Sequence, residues 1–317
     1  MSAGVFKKLI EPNLLWSMAL YAQTDSFSFL NKLKKPVKVF NSKNLRTKTN
    51  HVHTRADPFL FVRNDELFLF FESMSIKEVG CIAVYKTADL KKFDYLGIIL
   101  SEPHHLSYPL VFGYGPSVFM IPESGAAEEV VLYRFERFPF ELKKVRTLLF
   151  GKYFDSSLIF HEELWYLFTN SEVGLEIFLT DNIEEGAFSP HPQNPITTDP
   201  RFNRCAGQPV VVAGTTFRLA QNCSKKYGGN LNILRILELT ADCYREEIVC
   251  EGYFGCNEKW NTEGGHHLSM TNFLGKTVVA VDGHHRDYLF NKFISPFFGT
   301  LEKVTSVLGL RKQTFKT

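Results

Sequence analysis

Two aspartates that open short apolar runs are the first candidates for chemistry: Asp57, ahead of Pro58-Phe59-Leu60-Phe61-Val62, and Asp155, ahead of Ser156-Ser157-Leu158-Ile159-Phe160. Two carboxylates brought to one place divide their ionisation, one poised as a base and the other tuning its partner's orientation or pKa. The plain alternative for each is a turn or strand-start acid that caps backbone N–H groups. Three histidine pairs, His104-His105, His266-His267 and His284-His285, raise the question of a metal. Successive residues of a strand point to opposite faces, so at most one of each pair can face a shared site, and a zinc site needs three or four converging ligands. They are read as hydrogen-bonding groups, no metal site is assigned, and a divalent cation stays open. Arg204, Lys225 and Lys226, with the turn Tyr227-Gly228-Gly229, form either an anion pocket or surface charge beside a hairpin.

The elements that must position these residues recur. Residues 55–73 read as two strands joined by the turn Arg63-Asn64-Asp65, because short apolar runs rich in Phe, Leu and Val and bounded by Asn and Asp are strand-like. The second strand, DELFLFFES at 65–73, has counterparts at 116–124, 162–170, 214–222 and 275–283, with starts 46–61 residues apart. Each counterpart follows a short strand of its own, beginning at Ala56, Ser107, Asp155, Ala206 and His266. That period is the length of a four-stranded propeller blade.

The expected fold is therefore all-β: a five-bladed β-propeller in a single domain. Its blades fall near 50–100, 101–150, 151–200, 201–260 and 261–300, and residues 10–45 help to close the ring. Residues 181–203, with Pro190, Pro192, Pro195 and Pro200, should be an ordered surface loop, and the basic stretch 303–317 a solvated tail. In a propeller the first strand of every blade lines the central channel. The early residues of those strands are Asp57, His105 to Tyr108, Asp155, Arg204 to Gln208, and His266-His267: a polar ring in an otherwise apolar setting.

Composition bounds the rest. The chain has 317 residues with 14% aromatic content, 30 of them Phe, which suits pleated β-faces. A net charge of +2 provides no global field for nucleic acid or an anionic membrane. Six cysteines contain no Cys-x-x-Cys pair and read as reduced thiols, which places the chain in the cytoplasm. The apolar stretch 14–22 is too short to span a bilayer and reads as a buried strand, so no membrane span is expected.

Several motifs together carry a likeness. They are Ala56-Asp57-Pro58-Phe59; His105-Leu106-Ser107-Tyr108-Pro109 with Glu123-Ser124; Asp155 ahead of Trp165-Tyr166-Leu167-Phe168; Ala206-Gly207 with Arg218 and Gln221; Tyr227-Gly228; and Gly265-His266 with Asp282-Gly283. From about residue 50 to 290 the chain resembles the propeller domain at the N-terminus of plant glucosamine inositolphosphorylceramide transferases and in bacterial and viral polysaccharide-assembly proteins. More remotely it is similar to the five-bladed furanosidases and xylosidases of glycoside hydrolase family 43.

In those hydrolases an Asp of the first blade is the base, a second Asp tunes pKa, and a Glu of the next blade is the acid. The resemblance implies that Asp57 and Asp155 fill the first two roles. The third is missing, since the matching stretch reads Ala206-Gly207-Gln208-Pro209. Without an acid, glycoside hydrolysis loses a contribution of about 10²–10⁴-fold. A nucleotide sugar needs less protonation of its leaving group than charge neutralisation. The expectation is thus a glycosyltransferase that moves a sugar from a nucleotide-sugar donor to a glycan acceptor, with Asp57 as base. A family 43-like hydrolase and a non-catalytic glycan-binding propeller are the alternatives. The residues expected to contact substrate are Arg55, His105, Tyr108, Glu123, Arg204, Gln208, Arg218, Gln221, Tyr227, His266 and Asp282. Neither an Asp-x-Asp motif nor a Gly-rich dinucleotide fingerprint accompanies them.

Overall fold

The computed structural model describes residues 14–24, 27–31, 33–41, 52–75 and 79–286. The basic stretch 303–317 and the ends of the segment 10–45 lie outside the described residues. The chain folds as a five-bladed propeller built from five antiparallel sheets. The first blade holds Val52–Arg63, Glu66–Ser75, Cys81–Thr87 and Asp94–Leu100, in that order from the axis outward. The second holds Ser107–Tyr114, Ser117–Glu123, Glu129–Arg137 and Glu141–Phe150, and the third Phe154–His161, Leu164–Ser171, Gly174–Thr180 and Ser189–Pro190. The last of these strands comes from the proline-rich stretch 181–203.

The fourth blade differs at its inner edge. Its first strand is split into Arg204–Cys205 and Val210–Val212, both paired with Thr215–Asn222, and Asn230–Leu239 and Tyr244–Cys250 complete it. Gly207 and Pro209 lie in the gap. The fifth blade combines both halves of the sequence: Leu268–Phe273 and Lys276–Arg286 are followed outward by Leu14–Gln23 and Lys38–Phe40. Ten consecutive pairs, from Leu14 with Arg286 to Gln23 with Thr277, close the ring.

The inner strands read as unbroken apolar runs because both of their faces are buried. In Glu66–Ser75, Leu67, Leu69 and Phe71 join the core shared with the fifth blade. Phe68 and Phe70, pointing the other way, join the core shared with the second. Lys276–Arg286 divides likewise, Val278 and Ala280 packing toward the first blade and Val279 and Val281 toward the fourth. Asn64 and Asp65, at φ 50° and 58°, make the two-residue turn between Arg63 and Glu66 whose left-handed backbone matches the twist of the strands.

A close inter-blade approach occurs at Gly207, with φ 136°, where an added Cβ would lie 2.0 Å from the Leu268 carbonyl oxygen. Gly207→Ala is expected to lower the urea midpoint with an unchanged m-value, backbone strain alone costing about 1–3 kcal/mol. Gly214→Ala is a control at a positive-φ turn with nothing within 4 Å, and should shift the midpoint less. Equal shifts for the two variants would show that the approach to Leu268 is not tight.

Candidate active site

Each of the first three blades breaks its innermost ladder at the same place. Asp57-Pro58 stands opposite Phe71, Tyr108-Pro109 opposite Pro122, and Asp155-Ser156 opposite Thr169, two residues against one. Asp57, Tyr108 and Asp155 carry φ values of 51°, 46° and 50°. Such a bulge turns a side chain out of the sheet's alternation, and proline suits its second position because the ladder no longer needs that N–H. Gly207, the fourth-blade counterpart in the broken strand, contributes backbone alone.

These bulges meet at the axis through hydrogen bonds that pass from blade to blade. The Asp57 amide donates to Asp282 Oδ2 of the fifth blade (3.1 Å), and Asp57 Oδ2 accepts from the Tyr108 amide of the second (3.3 Å). The Tyr108 hydroxyl lies 2.6 Å from Ser157 Oγ of the third blade and accepts from the Gly207 amide of the fourth (2.7 Å). The Leu268 amide donates to the Ala206 carbonyl and returns the circuit to the fifth blade.

Around this circuit stands a set of buried acids. Burial pushes the Asp57 carboxyl up to about 7, against the pull of His266, and raises Glu72 and Glu123 as well. Asp282 goes the other way: burial opposes its ionisation, but His266, 2.7 Å from Oδ2, holds it below the usual range. Asp282 Oδ1 also accepts the His266 and His267 amides. His266 is itself raised, its burial outweighed by Asp282, and its Nε2 lies 3.0 Å from the Tyr227 hydroxyl. Tyr227, His266 and Asp282 thus form a relay beside Asp57, whose Oδ1 is 3.8 Å from His266 Nδ1.

Asp155 is clamped from the fourth blade. Arg204 Nε donates to its Oδ2 at 2.5 Å and Gln221 Nε2 to the same oxygen at 2.6 Å. The Arg204 guanidinium lies between the Phe154 and Tyr227 rings, 5.4 and 5.2 Å from their centroids. It is about a quarter exposed, and its terminal nitrogens form no hydrogen bond among the described residues. Tyr227, 53% exposed, forms the rim beside it.

Of the residues singled out from sequence, Asp57, Tyr108, Asp155, Arg204, Gln221, Tyr227, His266 and Asp282 come together here. His105 joins at the edge, 3.5 Å from Glu72, and Glu123 is held by Ser107 Oγ and the Gly125 amide. Three others do not face the acids. Arg218 is buried in an ion pair with Glu246 inside the fourth blade, Arg55 packs 5.9 Å from the Tyr85 ring, and Gln208 donates to the Leu158 carbonyl. Lys226 is paired with Glu263 rather than beside Arg204.

His266 and His267 both approach Asp57, at 3.8 and 3.9 Å, where one of the pair was expected. They precede the strand, which starts at Leu268, so strand alternation does not govern them. His267, completely buried against Phe59 and Tyr108, is driven down to about 4 by that burial and stays neutral. Glu72 and Ser157 were missed in the sequence. The signal for Glu72 was its register: it pairs with Ala56 as Glu123 pairs with Ser107, one residue before each bulge. Among the described residues, Asp57, His266 and Asp282 are the group able to hold a metal ion, their donor atoms lying within 4.8 Å of one another. Both Asp282 oxygens are already committed to hydrogen bonds or to His266.

Residues 33–284 match the family model described as glucosamine inositolphosphorylceramide transferase 1, N-terminal. The protein of that name from Oryza sativa subsp. japonica is 34% identical over 244 residues, 72% of this chain and 33% of the relative. Its Arabidopsis thaliana counterpart is 33% identical over 244 residues, again 72% of this chain and 32% of the relative. The chain therefore spans about a third of the length of the curated relatives it matches. Among solved structures, an α-L-arabinofuranosidase from Clostridium thermocellum aligns with a TM-score of 0.54 at 12% identity, covering 71% of this chain and 81% of that one. Bacillus subtilis arabinanase aligns at 0.51 and 11% identity, covering 72% and 93%. At these identities the likeness is one of fold.

The raised Asp57 carboxyl has a thermodynamic consequence. Its folded value of about 7 exceeds the ordinary aspartate value of 3.8, so the folded state keeps a proton that the unfolded chain has released. The associated stability is present below about pH 4 and is lost as pH rises through about 7. Asp57→Asn cannot ionise and is expected to gain on the wild type between pH 5 and pH 8, on the order of 2–4 kcal/mol. Urea melts at both pH values read the difference. Parallel pH profiles for the two proteins would mean that the carboxyl is not held protonated.

Proposed function

Because this chain belongs to the family of the N-terminal region of glucosamine inositolphosphorylceramide transferase 1, we propose that its axial channel is a carbohydrate site that transfers a sugar from a nucleotide-sugar donor to a glycan hydroxyl. The observation that carries this reading is the pairing of Asp57, a buried carboxyl titrating at about 7, with Arg204, whose terminal nitrogens are available at the rim. A base titrating near neutral pH suits abstraction of a hydroxyl proton. A guanidinium fixed by a carboxylate suits a diphosphate.

In this mechanism Asp57 takes the acceptor's hydroxyl proton as the acceptor oxygen bonds to the anomeric carbon. The bond from that carbon to the diphosphate breaks, and the electron pair leaves with the diphosphate, whose charge Arg204 neutralises. Asp155 and Gln221 fix Arg204 and its surroundings, and the exposed Tyr227 ring offers a stacking face for a sugar or base. The relay of Tyr227, His266 and Asp282 adjusts the charge around Asp57.

Hydrolysis is favoured by a different observation. Burial raises the Glu72 and Glu123 carboxyls in the same ring, which suits either to the role of the proton donor that the fourth blade lacks.

A thermal-shift screen of nucleotide sugars followed by a transfer assay tests the proposal, since a true donor stabilises the fold by mass action. The rate should rise with pH through about 7 as Asp57 ionises. Asp57→Asn should retain donor binding and lose about 10²–10⁴-fold in turnover, while Arg204→Ala should weaken donor binding. Release of sugar from aryl glycosides, abolished by Glu72→Gln or Glu123→Gln, would favour hydrolysis. Binding of glycan without turnover, unaffected by Asp57→Asn, would make the channel a binding module. Absence of nucleotide-sugar binding together with absence of transfer overturns the transferase reading.

A further inference from the structure

The strand that closes the ring also brings a side chain to the candidate site. Trp16 lies on Leu14–Gln23, directly opposite His284 of Lys276–Arg286, and is 9% exposed. It precedes residues 33–284, the span of the family match. Ring closure itself uses backbone hydrogen bonds, which any strand-forming residue supplies, so the indole has to be explained by what it touches.

That indole is a platform shared by two histidines. Its ring centroid lies 4.4 Å from that of His266, at an interplanar angle of 31°, and 4.4 Å from that of His284, at 44°. Each histidine holds the loop 223–229, which joins Thr215–Asn222 to Asn230–Leu239. His266 Nε2 lies 3.0 Å from the Tyr227 hydroxyl, and His284 Nε2 lies 3.0 Å from the Gly228 carbonyl oxygen. The loop also rests on the indole directly. At Gly228, with φ 64°, an added Cβ would lie 2.6 Å from Trp16 Cη2, so glycine is what admits the contact. Lys226 and Glu263, 3.2 Å apart, add an ion pair of the exposed kind that contributes little.

Tyr227 is thereby fixed where it can serve. Its hydroxyl is tied to His266, and its ring lies 5.2 Å from the Arg204 guanidinium. An aromatic ring on an undocked loop would lose its freedom only on meeting a ligand, whereas a docked one has lost it beforehand. We propose that Trp16 is a positioning residue of the candidate site: it docks the loop 223–229 so that the Tyr227 ring stands at the rim beside Arg204. The proposal rests on the reading of that rim as the donor's place. Without the indole the loop populates undocked states, and the donor's apparent affinity falls with the fraction that stays docked, while the chemistry at Asp57 is unchanged.

The test compares the full chain with Trp16→Leu and Trp16→Phe, first without ligand. In Trp16→Leu, hydrogen exchange of residues 223–229 should accelerate roughly 10-fold while Lys276–Arg286 keeps its protection, and Trp16→Phe should restore most of the loss. With a nucleotide sugar that binds, Trp16→Leu should raise the donor's KM roughly 3–10-fold and leave kcat within about 2-fold. Added to Tyr227→Ala, it should weaken the donor no further. Gly228→Ala pushes the loop off the indole without touching the closing strand, and takes the place of Trp16→Leu if that variant does not fold. Unchanged exchange in the loop overturns the proposal. So does equal loss of protection along Lys276–Arg286, which would make Trp16 a ring-closing residue only, and so does additivity in the double variant. The exchange arm needs no ligand, so the two readings fail separately: if no nucleotide sugar binds the wild type, the rim is not a donor site, and exchange alone decides whether Trp16 holds the loop.

Discussion

Five blades can pack around an axis only if the polar backbone exposed by their broken inner ladders finds partners across the gap. In this protein the partners come from neighbouring blades: Asp57 links to Asp282 and to the Tyr108 amide, Tyr108 reaches Ser157 and Gly207, and Ala206 bonds to Leu268. The apolar faces between blades are less directional than hydrogen bonds. The circuit constrains the blades, because a shift of any of them strands a buried donor or acceptor at the full cost of its desolvation. The same residues that close the ring therefore also fix the geometry of the candidate site, and Asp57 is both a structural joint and the proposed base.

Crowding of acids follows from that arrangement. The Asp155 and Asp282 carboxylates help to raise Asp57 and Glu72, and Asp155 helps to raise Glu123, while the compensating charge comes chiefly from Arg204 and His266. Asp282 is held below the usual carboxylate range by His266 and accepts three amides, whereas burial raises Glu72, whose neighbour is the more distant, half-buried His105. A network with a proton to give and a place to receive one is expensive in stability and useful for moving protons at a sugar.

Repetition was legible in the chain because burial on both faces demands apolar residues at every position of an inner strand, and Phe68-Leu69-Phe70-Phe71 meets that demand. The bulge was half legible. Asp57-Pro58 and Tyr108-Pro109 spell the same local geometry, yet Asp155-Ser156 and the split fourth-blade strand around Gly207 do not. Arg218 and Gln208 misled, since a charged or amide side chain near a channel strand reads the same whether it turns to the axis or into its own blade. Glu246, which captures Arg218, lies 28 residues away on the outermost strand of that blade.

By itself the sequence determined the blade period, the strand character of each repeat and the two aspartates at equivalent positions, because these depend on local pattern and on burial that a single strand experiences. Tertiary structure alone decided which side chains share a charge environment. Tyr227 and His266, and Asp57 and Asp282, are brought together by ring closure, at sequence separations of 39 and 225 residues. Protonation is set by desolvation and by the nearest charges, and neither exists until the blades have closed around them.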